Sequence, residues 1–333
     1  MMAQPECGGG GNMSVLGVDI GGTKVAAGLV SEQGEILQQF RAPMLARGSA
    51  AEGFCAVRET IDGIRAAGGE FRAIGIISPG PLDPGKGIVL NPPNLPCWRN
   101  FALVKAVEDA FGMPARLDND ANAAGLAEAI WGAGRGHALV FYVTLGTGIG
   151  TGIIFNGRIH HGRTGAAGEG GHVTIDYHGP RCGCGKRGCI EALASGPAIA
   201  ERARQALAGR NAGALFRLAG GNAANVTTEM VADAYRAGDP LATSVLRETA
   251  ELLAIWLGNI VDVLEPDVIV VGGGVSHLMS RFFPYIQELL PQWSINQRSG
   301  EIPLTRAHYG ADAGIAGAAA LCVAQPGAHR SSA

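Results

Sequence analysis

The stretch Val15–Val30, VLGVDIGGTKVAAGLV, decides the fold: an apolar, β-branched run closes on Asp19, turns at Gly21-Gly22, and is answered by a second apolar run. Two such runs joined by a tight glycine turn predict a hairpin, with Gly34 opening the next turn. The pattern returns in the middle of the chain. Ala138–Leu145 and Gly152–Asn156 read as strands around Thr144-Leu-Gly-Thr-Gly148, so each half opens with a hairpin whose turn carries Gly and Thr.

Working outward, Phe54, Val57, Ile61 and Ile64 recur at helical spacing and predict a helix over 49–67, stopped by Gly68-Gly69. Ala73–Ile77 reads as a buried strand feeding a Pro/Gly-rich loop, Ser78–Pro96, long enough to be functional. A short helix, Phe101–Phe111, a strand, Pro114–Leu117, and a helix from Asp120 complete the first half. Helices fill Pro197–Leu264, Asp267–Val271 is a buried strand delivered into Gly272-Gly273-Gly274, and the last helix runs over Ala313–Ala324. Strands and helices mix throughout, which predicts an α/β class, and the internal repetition predicts two related lobes with a cleft between them.

Composition narrows the function. The 333 residues at about 150 per domain suggest roughly two domains. Gly and Pro make up about 21% of the chain, below the ~25–30% of low-complexity sequence, so the glycines need local explanations. A net charge of −3 provides no electrostatic footprint for nucleic acid or an anionic membrane. No Lys or Arg precedes Lys24 and no apolar run occupies the first dozen residues, so no signal peptide is expected, and residues 1–14 read as a flexible tail with Met13 a possible start. His137–Gly157 is uncharged and long enough to span a bilayer, but its five glycines (146, 148, 150, 152 and 157) favour two strands and a turn. A soluble, cytoplasmic protein is expected.

Several motifs carry chemistry. In Asp19-x-Gly21-Gly22-Thr23-Lys24 the glycines admit backbone N–H groups to phosphate oxygens, Thr23 adds a hydroxyl, and Asp19 suits a Mg²⁺-bound water; an ordinary hairpin turn is the plainer reading. Gly146-Thr147-Gly148-x-Gly150 could grip phosphate likewise, and Gly272, Gly273 and Gly274 could accept a base or ribose. Gly80–Lys86 nearly fits a P-loop but has Gly87 where the Mg²⁺-binding hydroxyl belongs, and Gly183-x-Gly185-x-x-Gly188 fits a dinucleotide fingerprint away from any strand–helix junction. Neither is a nucleotide motif. Cys182-x-Cys184-x₄-Cys189 supplies three thiolates in one glycine-rich loop; zinc wants four N/S ligands, and His172 and His178 are both near enough to be the fourth. A complete shell of this kind is structural. Asp118 and Asp120 stand where a strand gives way to a helix, as helix caps or as a general base kept ionised by the helix terminus.

Asp19-Ile-Gly-Gly-Thr-Lys24, Leu117-Asp-Asn-Asp-Ala-Asn122, Gly146-Thr-Gly-Ile-Gly150, Glu169-Gly-Gly-His172 and Cys182-Gly-Cys-Gly-Lys-Arg-Gly-Cys-Ile-Glu191 together resemble, in this order, the ROK family of bacterial sugar kinases and related repressors. The resemblance spans about residues 15–324, and the first turn is shared more widely across actin-like ATPases. It implies an actin-like (ribonuclease H-like) α/β fold with two lobes and an interlobe cleft: a small lobe 15–118, a large lobe 119–305 with a zinc loop 172–191, and a C-terminal segment 306–325 returning to the small lobe. It further implies ATP and Mg²⁺ on the two Gly-Thr turns, a structural Zn²⁺ on His172, Cys182, Cys184 and Cys189, and Asp120 as the base toward a hexose 6-hydroxyl. Asn119, Glu169, His172 and Glu191, with Gly80 and Asn94 of the long loop, would hold the sugar. No winged-helix module fits ahead of Val15, which favours a kinase over a repressor. Gly165–His172 and Pro92–Pro96 resemble glucokinases more than N-acetylhexosamine kinases, and Pro81 stands where some N-acylmannosamine kinases have Arg. The resemblance thus implies glucose, a kinase of N-acetylated hexoses being the next reading and a non-catalytic sugar sensor the reading from another class; a homo-oligomer, dimer or tetramer, is also implied. Polyphosphate or ADP as donor stays open.

Overall fold

The computed structural model describes residues 14–210 and 212–323. Residues 1–13 of the expected tail and the residues from Ala324 onward lie outside them, while Ser14 is buried and accepts from Arg72 N–H at 3.2 Å, so it belongs to the fold and not to a tail. Among the described residues the chain divides into two compact units, one ending at Ala123 and resumed at Gly314, the other Ala124–Ala313.

The first unit opens with β1 (Val15–Ile20), β2 (Lys24–Val30) and β3 (Ile36–Pro43), antiparallel in sequence. Then come α1 (Ala50–Ala66), β4 (Ile74–Ile77), a small hairpin β5 (Leu82–Asp83) and β6 (Ile88–Val89), α2 (Leu103–Phe111), β7 (Ala115–Asp118) and the start of α3 (Asp120–Ile130). The sheet order is β3-β2-β1-β4-β7. A capping box starts α1: Ser49 Oγ accepts from Glu52 N–H and the Glu52 carboxylate accepts from Ser49 N–H at 2.7 Å. Val57, Ile61 and Ile64 on its inner face share one core with Leu16, Val18, Ile74 and Ile76. Because β1, β4 and β7 are parallel and register Asp19 with Ile77 and Ile77 with Asp118, the loops leaving them emerge along one edge, where ligands bind in α/β sheets.

The second unit repeats this plan with β8 (Leu139–Leu145), β9 (Ile149–Phe155) and β10 (Arg158–Ile159), again an antiparallel run. The helices α4 (Ile190–Ala194), α5 (Gly196–Leu207), α6 (Ala214–Leu218), α7 (Thr228–Arg236) and α8 (Pro240–Leu264) follow, then β11 (Val268–Gly272), α9 (Ser276–Met279), α10 (Phe283–Trp293) and β12 (Leu304–Arg306). Its sheet order, β10-β9-β8-β11-β12, mirrors the first. Asp239 caps α8 ahead of Pro240, and Trp256 packs its ring against Phe141 under the sheet. The last helix, α11 (Ala313–Ala320), belongs to the first unit except for its first residue. No helix among the described residues is long and apolar enough to cross a membrane; His137–Gly157 instead forms the β8–β9 hairpin.

Three readings need correction. β9 begins at Ile149, not Gly152, so the second turn is only Gly146–Gly148, and Gly150 pairs with Thr144 inside the ladder. The long loop carries the β5–β6 hairpin, turned by Asp83 Oδ1 accepting from Lys86 N–H at 3.0 Å. The strands β3 and β12 and the helix α10 were not anticipated: β3 is an exposed edge without apolar alternation, β12 has three residues, and α10 contains Pro291.

Candidate functional site

In the first unit, the turn between β1 and β2 is closed by Gly21 N–H donating to Lys24 O at 2.9 Å. A side chain at Gly22 would stand 3.1 Å from Asn94 O, so the long loop lies directly on the turn. Gly80 is exposed after β4. At the end of β7 the cap of α3 falls to neither Asp118 nor Asp120. Asn119 Oδ1 accepts from Asn122 N–H at 2.7 Å, while buried Asp118 Oδ1 accepts from Asn119 N–H and Asn122 Nδ2. Asp118 is thus committed to shaping the loop.

Asp120 accepts from Ala121 N–H at 2.8 Å. The helix terminus was expected to keep this carboxyl low; the residue is exposed at the start of α3, yet the protein packed around it outweighs the backbone hydrogen bonds and pushes the carboxyl up. Asp19 is pushed up as well, first by burial and then by the charge of Asp120, against the pull of Lys24 and Arg41. Two neighbouring carboxyls above their ordinary range suit one group that takes a proton and one that faces a cation.

In the second unit, the donor atoms of His172, Cys182, Cys184 and Cys189 all lie within 4.8 Å of one another. A tetrahedral zinc with ~2.3 Å bonds to sulfur has S–S edges of about 3.8 Å. Cys184 Sγ and Cys189 Sγ are 3.7 Å apart, and Cys182 Sγ is 3.6 Å from His172 Nδ1, so the donor set and its size fit zinc. His178 is not among them; its N–H donates to Asp176 Oδ1 and its ring lies against Tyr177. Burial pushes the Cys182 thiol up to about 12, a cost that a divalent cation reverses by stabilising the thiolate. The loop is folded for the purpose by Cys182 N–H donating to Lys186 O and Gly185 N–H to Cys182 O.

Glu191, in the first turn of α4, joins this cluster to the Gly146–Gly148 turn. Its Oε2 accepts from Ile149 N–H at 3.1 Å, and its Oε1 stands 3.7 Å from Cys182 Sγ and 3.8 Å from His172 Nδ1. A Cβ at Gly148 would lie 2.6 Å from Glu191 Oε2, so a side chain there would push this carboxylate aside. Glu169 Oε2 lies 4.0 Å from His172 Nε2, the nitrogen turned away from Cys182. The side chains of Glu169, His172 and Glu191 are 64%, 30% and 27% exposed, so the three present a polar face that can hydrogen-bond a polyol. Thr151 and Trp256 hold the backbone beneath it, Gly170 donating its N–H to Thr151 Oγ1 and accepting from Trp256 Nε1.

Beside the same turn opens a cavity of about 940 Å³, walled by Gly146 and Thr147, by Gly196 and Thr228 at the amino ends of α5 and α7, and by Gly274 and His277. The size suits a nucleoside, and helix amino ends favour anions. Of the third glycine run only Gly274 faces this space. Gly272 is bare because Tyr142 Oη would lie 2.5 Å from its Cβ, and Gly273, at φ +85°, passes 2.3 Å from Leu145 O by the same measure. Sequence reading missed Gly196, Thr228 and His277; the one signal for them was the Ser195-Gly196-Pro197 and Thr227-Thr228 helix starts.

Known proteins of similar sequence and fold are consistent with these features. A glucokinase of Thermotoga maritima is 35% identical over 309 residues, covering 93% of this chain and 97% of that one. An N-acetylmannosamine kinase of Escherichia coli is 34% identical over 309 residues, covering 93% and 98%. The crystal structure of a ROK family glucokinase from Streptomyces griseus, in complex with glucose and AMPPNP, matches with a TM-score of 0.76 and 36% identity, covering 92% of this chain and 98% of that one. A family model described as the ROK family matches residues 15–325, and the chain belongs to that family.

Proposed function

We propose that this protein is an ATP-dependent hexose kinase that converts glucose to glucose 6-phosphate. The observation that carries the reading is Asp120: relieved of capping by Asn119, open to solvent at the start of α3, and near enough to Asp19 for its charge to act there. The glucokinases at 35–36% identity, one of them solved with glucose and AMPPNP, support the substrate pair.

In this reading Asp120 takes the proton of the sugar 6-hydroxyl as its oxygen forms the new bond to the γ-phosphorus and ADP departs. Asn94, Asn119, Glu169, His172 and Glu191, with the backbone at Gly80, hold the other hydroxyls. Gly21 and Gly146 close the two turns by donating their N–H groups to Lys24 O and Gly148 O, and the backbone N–H groups of Gly22 and Gly148, with the hydroxyls of Thr23 and Thr147 and the ammonium of Lys24, receive the phosphates. The adenosine enters the cavity beside Gly274. Asp19 faces Mg²⁺, which when bound neutralises charge on the phosphates. Zinc, when bound to His172, Cys182, Cys184 and Cys189, fixes the ring and loop that present His172 and Glu191. A homo-oligomer, dimer or tetramer, and a cytoplasmic place at the entry to glycolysis belong to the same reading.

A second reading, an N-acetylmannosamine or N-acetylglucosamine kinase, is favoured by the Escherichia coli relative at 34% identity. A coupled ADP-release assay with Mg-ATP and glucose, N-acetylglucosamine, N-acetylmannosamine, mannose and fructose separates them. The highest kcat/KM is expected for glucose. Preference for an acetylated sugar would keep the chemistry and replace the substrate, and binding without turnover on any of the five would leave a sugar sensor.

A further inference from the structure

Helix α11 lies on the first sheet with almost no side chains between them. A methyl group at Gly17 of β1 would stand 2.1 Å from Ile315 O, and one at Gly75 of β4 would stand 1.7 Å from Ala318 O. At Gly28 of β2 it would meet Ile315 Cγ2 at 2.4 Å. The first two are backbone collisions, so the height of α11 above β1 and β4 is fixed by chain against chain.

Gly314, in the first turn of this helix, meets something different. A Cβ there would lie 2.3 Å from Asp19 Oδ2, 2.7 Å from Asp19 Cγ and 3.3 Å from Asp19 Cβ. Since the helix cannot rise, the movable partner is the Asp19 side chain, which turns about two bonds. The charged neighbours that act on Asp19 are Lys24, Arg41 and Asp120. Swinging the carboxylate away from the missing side chain at 314 would move it relative to all three.

We propose that Gly314 is a positioning residue for phosphoryl transfer: its missing side chain is the space the Asp19 carboxylate occupies, and it fixes the direction in which Asp19 faces the divalent cation. This deepens the function proposed above and rests on it. It also separates Gly314 from Gly17 and Gly75, where an added methyl meets backbone and perturbs the fold itself.

The test is Gly314→Ala in the full chain, assayed with ATP and glucose across free Mg²⁺. A misplacement of about 1 Å is enough for a roughly 10- to 100-fold loss of kcat. The half-saturating free Mg²⁺ should rise several-fold, with the glucose KM within about twofold of wild type and the melting temperature close to it. In an Asp19→Ala background the same substitution should cost less than about twofold, because the atoms it displaces are gone. Wild-type kcat and Mg²⁺ dependence in Gly314→Ala would overturn the proposal, as would equal losses in both backgrounds. Should Gly314→Ala fail to fold, Asp19→Ala must restore folding; if it does not, the methyl meets something other than Asp19 and the proposal falls. A crystal structure of the variant reads the carboxylate directly and needs no activity: Asp19 unmoved overturns the positioning role even if the wild-type protein phosphorylates no sugar, which would sink the functional reading alone.

Discussion

If His172, Cys182, Cys184 and Cys189 hold zinc as proposed, stripping the metal should raise the sugar KM by about 10- to 100-fold and leave kcat within a few-fold, with each 1.4 kcal/mol worth about tenfold. The figure follows from the chain between the ligands. His172 and Cys182 are ten residues apart, and by cross-link entropy a closed loop of about eleven residues is worth roughly 3 kcal/mol at 25 °C. Part of that order survives without metal, because Ile190 N–H still donates to Val173 O, Ile175 N–H to Gly188 O, and Trp256 Nε1 to Gly170 O. The net loss is therefore about 1.5–3 kcal/mol, falling on the ring of His172 and the carboxylate of Glu191. Dialysis against a chelator, zinc quantification by mass spectrometry and sugar titration in the ADP-release assay measure it, and reloading with Zn²⁺ should reverse it. Zinc-free protein with an unchanged sugar KM would refute the reasoning. A fall in kcat at constant KM would refute it differently, by moving His172 from positioning into chemistry.

Asp120→Asn should lower kcat by about 10²–10⁴ while sugar binding survives, read by single-turnover kinetics beside a binding isotherm. Gly274→Val should raise the ATP KM by about tenfold or more at constant glucose KM and melting temperature, since a Cβ there meets no protein atom within 4 Å and enters only the cavity. Glu128→Ala should destabilise the second unit by about 3–5 kcal/mol in urea denaturation, because the N–H groups of Ala133, His308 and Tyr309 lose their buried acceptor at roughly 1 kcal/mol or more each. A loss below about 1 kcal/mol would mean that water replaces the carboxylate there.

What the sequence discloses follows how local the cause is. The β1–β2 and β8–β9 hairpins were legible because apolar alternation and a glycine turn are contained in about sixteen residues. The cluster of His172 with three cysteines was legible for the same reason, its cysteines lying within eight residues of one loop. Spacing left His172 and His178 equivalent, the resemblance pointed to His172, and the tertiary course of the chain separates them: one ring is drawn onto Cys182 while the other lies against Tyr177. The capping of α3 shows how a correct motif can still hide its division of labour. Asp118-Asn119-Asp120 offers three capping residues in a row, and the hydrogen bonds assign the cap to Asn119 and loop-shaping to Asp118.

Where the cause is tertiary, the sequence discloses only part of it. The cavity beside Gly146 joins Gly146, Thr147 and Gly274, which motifs marked, to the amino ends of α5 and α7 and to α9, which carry no ligand-binding motif. Three consecutive glycines, Gly272, Gly273 and Gly274, look alike in sequence yet answer to Tyr142, to Leu145 and to open space. Gly314 is the sharpest case, because AGIAGAAA reads as a small-residue helix chosen for packing, and for Gly17 and Gly75 that reading is sufficient. One residue in the same helix faces a carboxylate and not a backbone. Substitution by alanine, which by helix propensity alone would stabilise α11 by about 1 kcal/mol, thus distinguishes a glycine kept for the fold from one kept for the chemistry.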